Sequence, residues 1–210
     1  MYFGAFVDGA LIGAALIIAI GAQNLFVLRQ GMARDQVFII CFLSACIDAL
    51  LILLGAMGLG SAIAAFPWLV PWASWGGALF LIAFALMSLR RAIWPPIKPV
   101  KENEVVTSSK RKAILLTLAF GFLNPHVYLD TVILLGGIAA GYEFMPRVYF
   151  VVGAITASFV WFFSIGYGAR VFAPAMRTRQ GARILDLSVA GIMLIVAASL
   201  IIDQLAATQM

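Results

Sequence analysis

Charged side chains are scarce in this chain: 14 Lys plus Arg and 9 Asp plus Glu among 210 residues. At 11% the charged fraction is less than half of the roughly 25% usual for soluble domains. So few charges cannot cover a water-soluble surface, which excludes a soluble enzyme or nucleic-acid binder. Histidine occurs once, which excludes an HExxH zinc centre and a pair of haem ligands. The two cysteines, Cys41 and Cys46, lie at C-x4-C spacing inside an apolar run, which fits neither a redox pair nor a zinc site. Ser158 has no Gly-x-Ser-x-Gly context, and neither a glycine-rich phosphate loop nor a repeated selectivity segment is present. Nothing in the residues calls for a cofactor or a resident metal. No Lys or Arg precedes the first apolar run, so a cleaved signal is not expected and the first helix is expected to be retained.

What the chain has instead is apolar length, with 64% hydrophobic residues and a mean hydropathy of +1.06. A membrane-spanning helix takes roughly 20 apolar residues. Six stretches qualify, at about 3–28, 37–63, 68–93, 113–140, 148–172 and 184–202. In lipid they must be helices, because each unpaired backbone group there costs several kcal/mol. Pro67, Pro71, Pro95, Pro96, Pro146 and Pro174 fall at or near the expected ends. The sequence therefore predicts an all-α polytopic membrane protein with six transmembrane helices in one membrane domain, and a linker over 94–112. No second, soluble domain has room.

The basic residues sort by connection. Arg29 and Arg34 follow the first stretch; Arg90, Arg91, Lys98, Lys101, Lys110, Arg111 and Lys112 follow the third. Arg170, Arg177, Arg179 and Arg183 follow the fifth, and Arg147 alone lies on the opposite side. Lys and Arg stay cytoplasmic, so the odd-numbered connections and the linker are expected inside and both termini outside. The net charge of +5 is then an orientation signal rather than the mark of an anionic partner. Three helices per half would turn the second half upside down, as in inverted repeats. Ile47, Ala49, Gly58 and Gly60 match Ile155, Ala157, Gly166 and Gly168 at a constant offset, and Gly77, Ala83 and Leu86 match Gly191, Ala197 and Leu200. Gly55, Gly58 and Gly60 form a small-residue face that suits close packing within one chain or a homo-oligomer.

Ionisable side chains inside a membrane mark a pathway by default. Asp48 lies near the centre of the second stretch, and Asp130 lies in the fourth, one turn beyond His126. No Lys or Arg stands at matching depth to neutralise either. Asp8 and Asp203, near helix ends, are expected to reach water. Two stretches carry breaking sequences, Gly21-Ala22-Gln23-Asn24 in the first and Asn124-Pro125-His126 in the fourth. Pro125 cannot donate a backbone bond and crowds the carbonyl of Gly121, which opens the helix. Opened backbone and amide side chains line polar substrate sites in transporters. The expected site thus collects Asp48, Asp130, Gln23, Asn24, Asn124, Pro125 and His126 around one central cavity. These residues alone indicate a transporter of something cationic.

The segments from Gly21 to Gly31 and from Leu123 to Thr131 resemble the first- and fourth-helix signatures of the LysE family of amino-acid exporters. They are similar to its lysine and arginine branch; the homoserine/threonine branch usually carries Pro-Gly-Pro where Gly21-Ala22-Gln23 stands here. The resemblance implies export of arginine, lysine or both across a bacterial inner membrane, with Asp48 and Asp130 as the intramembrane acids. Outward movement of a cation against an inside-negative potential costs about 2.3 kcal/mol per 100 mV, which favours antiport against protons. Two alternatives stand beside it: export of a divalent cation through carboxylates and amides, and a membrane redox or assembly role for Cys41 and Cys46.

Overall fold

The computed structural model describes residues 2–18, 21–59, 69–94, 109–172, 174 and 178–208. Its elements are all helical, and no strand occurs among the described residues. Helices α1 (Tyr2–Ile17) and α2 (Ala22–Ala33) come first, then α3 (Val37–Leu54), which runs on into a π turn, Gly55–Leu59. Helix α4 covers Leu69–Ile93. Helix α5 (Lys110–Phe122) opens on Ser109, whose hydroxyl accepts the Lys112 N–H at 3.2 Å, a side-chain N-cap. Helix α6 (Pro125–Tyr128), a π segment (Leu129–Leu135) and α7 (Gly136–Ala140) follow one another with α-helical angles at the joining residues Tyr128, Leu135 and Gly136. Helix α8 (Phe144–Gly168) ends in a 3-10 turn, Ala169–Phe172, and α9 is Arg179–Thr208.

Among the described residues four stretches are long and apolar enough to cross a membrane: Val37–Gly58, Ser74–Ile93, Phe144–Val171 and Gln180–Ala206. Helices α1 and α2 pass only as a pair, bent by 83°. The expected first helix at 3–28 is therefore two helices, and so is the fourth at 113–140, where α5 stops at Phe122 and Pro125 opens the next segment. Proline suits a first helical position because its missing N–H would have no partner there anyway. The α-helix of the second stretch ends at Leu54, with Gly58 at φ 88, outside helical space, and the expected end near 63 lies outside the described residues. The fifth begins earlier, at Phe144, and the sixth spans more than 184–202 in both directions. Most of the 94–112 linker lies outside the described residues.

Small residues set the helix contacts. Helix α1 lies along α8: a Cβ at Gly9 would strike the backbone of Phe150, one at Gly13 would lie 2.9 Å from the Ala154 Cα, and one at Gly153 would strike Phe6. The pairing runs in one direction, so α1 and α8 start on the same face. Further along, Gly31 of α2 meets the Gly166 backbone, and Gly166 in turn meets the Cys41 sulfur. Gly55 and Gly136 face each other backbone to backbone, so Gly55 is occupied within the chain. Helix α4 runs antiparallel to α9, tied at one end by the Gln204 amide donating to Ser74 Oγ at 3.2 Å. At the other end Asp186 accepts Arg29 at 2.9 Å and Arg91 at 3.4 Å, joining α2, α4 and α9. Asp186 is a carboxylate within the expected sixth helix that sequence analysis did not single out.

The opposite face has its own ties. Arg147 donates to the carbonyls of Ala139, Ala140 and Tyr142 at 3.0–3.1 Å, closing the carboxyl end of α7 with a cation. The Tyr142 hydroxyl donates to Asp8 at 3.0 Å, so Asp8 is exposed yet engaged. The Asp203 side chain lies outside the described residues. Because Gly9 and Gly153 have no room for a Cβ, Gly9→Leu or Gly153→Leu should cost at least about 1–3 kcal/mol by overpacking. The variants should lower the melting temperature and the monodisperse yield in detergent, whereas Gly4→Leu, which has open space, should behave as wild type.

Candidate functional site

The two helix breaks meet in the middle of the bundle, each repaired by a side chain from just beyond it. At the first, the Asn24 amide in the opening turn of α2 donates back to the Ile17 carbonyl at 2.8 Å, and its Oδ1 accepts the Trp161 indole N–H at 3.3 Å. At the second, the Tyr128 hydroxyl donates to the Phe122 carbonyl at 2.8 Å. In both, the carbonyl that a broken helix leaves without an intrahelical partner is bound again.

Between the breaks lies a cavity of about 270 Å³, near the small end of the range for small-molecule sites. Gln23 and Asn24 from α2, Asp48 from α3, Asn124 from the second break, and Asp130 from the π segment all line it. Those are five of the seven residues expected at the site. Pro125 and His126 sit in α6 with described backbone, but their side chains lie outside the described residues. The other walls include Leu16, Ile17, Gly21, Val127, Thr131, Phe162 and Val196. Among the described residues no Lys or Arg lines the cavity.

Asp48 is 3% exposed and accepts the Ser158 hydroxyl at 2.9 Å, a bond across α3 and α8. That bond satisfies one carboxylate oxygen away from water. Sequence reasoning gave Ser158 no role; a hydroxyl within an apolar run was the available signal, and the structure buries it fully. Asp130 sits in π geometry, a wider turn often found at functional sites. Its neighbour Thr131 donates to the Val127 carbonyl at 2.6 Å. From the cavity along α2, Phe26 stacks on Phe120 with ring centroids 4.8 Å apart, and Phe84 packs edge-on to Phe120 at 5.0 Å. Beyond them on the same helix comes Arg29 with its Asp186 partner.

Cys41 is buried and Cys46 half-buried, and both are free thiols. Five residues apart on a helix, they point about 140° away from each other and cannot pair. Among the described residues no group of three or more His, Cys, Asp or Glu is placed to hold a metal ion. The arrangement offers two carboxylates and several amides in a largely apolar surround, suited to holding a small organic cation.

The family described as LysE type translocator matches residues 14–204. The chain is 36% identical to the arginine exporter protein ArgO of Shigella flexneri and to that of Escherichia coli strain K12, in each case over 99% of this chain and 98% of the relative. Identity to the arginine exporter protein ArgO of a Klebsiella pneumoniae strain is also 36%, over 93% of this chain and 92% of the relative. No solved structure matches it.

Bonds between side chain and backbone across a membrane bundle average about 0.6 kcal/mol and reach about 1.7. Tyr128→Phe should therefore lower unfolding stability by about 1 kcal/mol, and Asn24→Ala by somewhat more, because it loses two partners. Denaturation of purified protein in detergent reads both; unchanged stability in Tyr128→Phe would mean that the hydroxyl does not hold the second break.

Proposed function

The chain belongs to the LysE translocator family, and on that premise we propose that it exports arginine, lysine or both from a bacterial cytoplasm in exchange for protons. It is a transporter and not an enzyme. The observation that carries the substrate class is the meeting of Asp48 and Asp130 in one cavity with no Lys or Arg among its described walls. Carboxylates so placed are costly in a low-dielectric interior unless protonated or matched by a cation. Each then holds a proton or the cationic substrate but not both, and that exclusivity is what an antiporter requires. Asp48, Asp130 and Asn124 contact the substrate, and Gln23 does so through its amide. Asn24 is bonded at both ends of its own amide and instead keeps the first break open.

Export of a divalent ion is disfavoured by chemistry. Such an ion takes six or more oxygens, commonly with several carboxylates. The redox reading loses its support because Cys41 is buried against Gly166 and cannot reach Cys46.

The proposed topology has six crossings with both termini outside. Contacts support the first: Gly9, Gly13 and Gly31 meet α8 at Phe150, Ala154 and Gly166 in turn, so α1 and α2 together travel its length. Likewise Gly121 abuts Ile47 and Gly136 abuts Gly55, so the chain from α5 to α7 follows α3. The Arg29–Asp186–Arg91 cluster gathers the ends of the first and third crossings and the start of the sixth on one face, the face where the basic connections lie. The Asn24 and Tyr128 repairs correspond between the halves, which favours two inverted three-helix repeats.

Counterflow of labelled arginine, lysine and threonine in proteoliposomes tests the substrate. Arginine or lysine should exchange and threonine should not; the reverse would defeat the assignment. An imposed pH step should drive uptake of the basic amino acid, and dependence on voltage alone would remove the proton coupling. Asp48→Asn and Asp130→Asn should each abolish exchange while the protein stays in the membrane. For topology, single cysteines introduced between Lys98 and Ser109, in a Cys41→Ser/Cys46→Ser background, should resist an impermeant thiol reagent in intact cells. Reaction there would invert the orientation.

A further inference from the structure

A basic amino acid brings an α-carboxylate into the cavity as well as its cationic groups, and an anion stripped of water needs donors. Asp48 and Asp130 cannot supply them. The donors stand at the other side of the first break. Helix α2 begins at Gly21, which is extended (φ −114, ψ 177) and provides no side-chain cap. Leu25 N–H donates to the Gly21 carbonyl at 3.2 Å, and the N–H groups of Ala22 and Gln23, in the opening turn ahead of it, stand at the helix end beside the cavity. The start of this 12-residue helix carries the positive end of its dipole.

Gln23 sits in that first turn, lines the cavity and is 6% exposed. Its Nε2 is a buried donor with no hydrogen-bond partner. An unmade buried donor is costly unless a ligand takes the bond. The only other such atom among the described residues, Ser44 Oγ on α3, does not line the cavity. The neighbouring amide of Asn24 is already committed to Ile17 and Trp161.

We propose that the amino end of α2 together with the Gln23 amide forms a carboxylate subsite, facing a cation subsite at Asp48 and Asp130. The proposal rests on the exporter reading and adds a selectivity rule. The protein recognises an amino acid by both ends and discriminates against the amine that remains when the carboxylate is removed.

Counterflow of labelled arginine in proteoliposomes tests it, with unlabelled arginine, arginine methyl ester and agmatine (arginine lacking its carboxylate) as competitors. In the wild-type protein agmatine and the ester should compete at least about tenfold more weakly than arginine, since each forgoes a charge-assisted bond. Gln23→Leu should raise the half-saturating arginine concentration about tenfold and narrow the gap between arginine and agmatine. Gln23→Glu should weaken arginine further while leaving agmatine unchanged or improved, because it sets a like charge against the carboxylate. Equal competition by arginine and agmatine, with arginine exchange intact, overturns the subsite and leaves the exporter reading standing. Absence of arginine and lysine exchange in the wild type overturns the exporter reading itself. The wild-type comparison needs no variant to fold, so poor yield of a Gln23 variant does not shelter the proposal.

Discussion

Backbone hydrogen bonding is the constraint on which this structure turns. In the interior of a bilayer there is no water to satisfy an opened helical turn, so irregular backbone survives only where protein or a cavity surrounds it. This chain opens two helices at mid-bundle and binds a released carbonyl at each, through Asn24 on Ile17 and Tyr128 on Phe122. The cavity exists because of those openings: Gly21 and Asn124 line it from the breaks themselves. Without the repairs, the same breaks would leave unpaired carbonyls in an apolar surround, and the chain would favour closing into continuous helices.

Close approach of backbones supplies the frame that holds the broken pieces. Lipid tails are as apolar as leucine, so helices in a membrane associate through packing and hydrogen bonds rather than through burial from water. Glycine is what lets α1 lie on α8 and Gly55 lie on Gly136. The unbroken helices α3 and α8 carry the contacts of the broken ones along their length, and they also bring Asp48 and Ser158 together. One pair of helices thus serves as both scaffold and site wall. Charge sits at the two faces instead: the cluster at Asp186 on one, and Arg147 capping α7 on the other.

The combination of rigid frame and opened segments suits a carrier. Gln23 and Asn24 line the cavity from α2, Asn124 from the second break and Asp130 from the π segment, all short pieces, whereas Asp48 lines it from the long α3. The Phe26, Phe84 and Phe120 rings lie between the cavity and the Asp186 cluster along α2, a stretch where packing rather than charge separates the site from that face.

The sequence by itself determined the solvent. Its apolar length and sparse charge demand helices in lipid, and the uneven spread of Lys and Arg carries the orientation signal. It also marked Asp48 and Asp130, since a carboxylate amid leucines stands out without any structure. Gly21 and Pro125 located the breaks, because those residues weaken or forbid the helical ladder locally. What the sequence could not decide was whether a break is a kink or an opening. That depends on whether a partner for the freed carbonyl arrives from elsewhere, as the Asn24 amide does at Ile17. Ser158, Trp161 and Asp186 are ordinary in isolation; each acquires its role from a partner more than 90 residues away. Tertiary structure alone decided those pairings, because hydrogen bonds and ion pairs depend on ångström-scale distances that composition and periodicity do not contain.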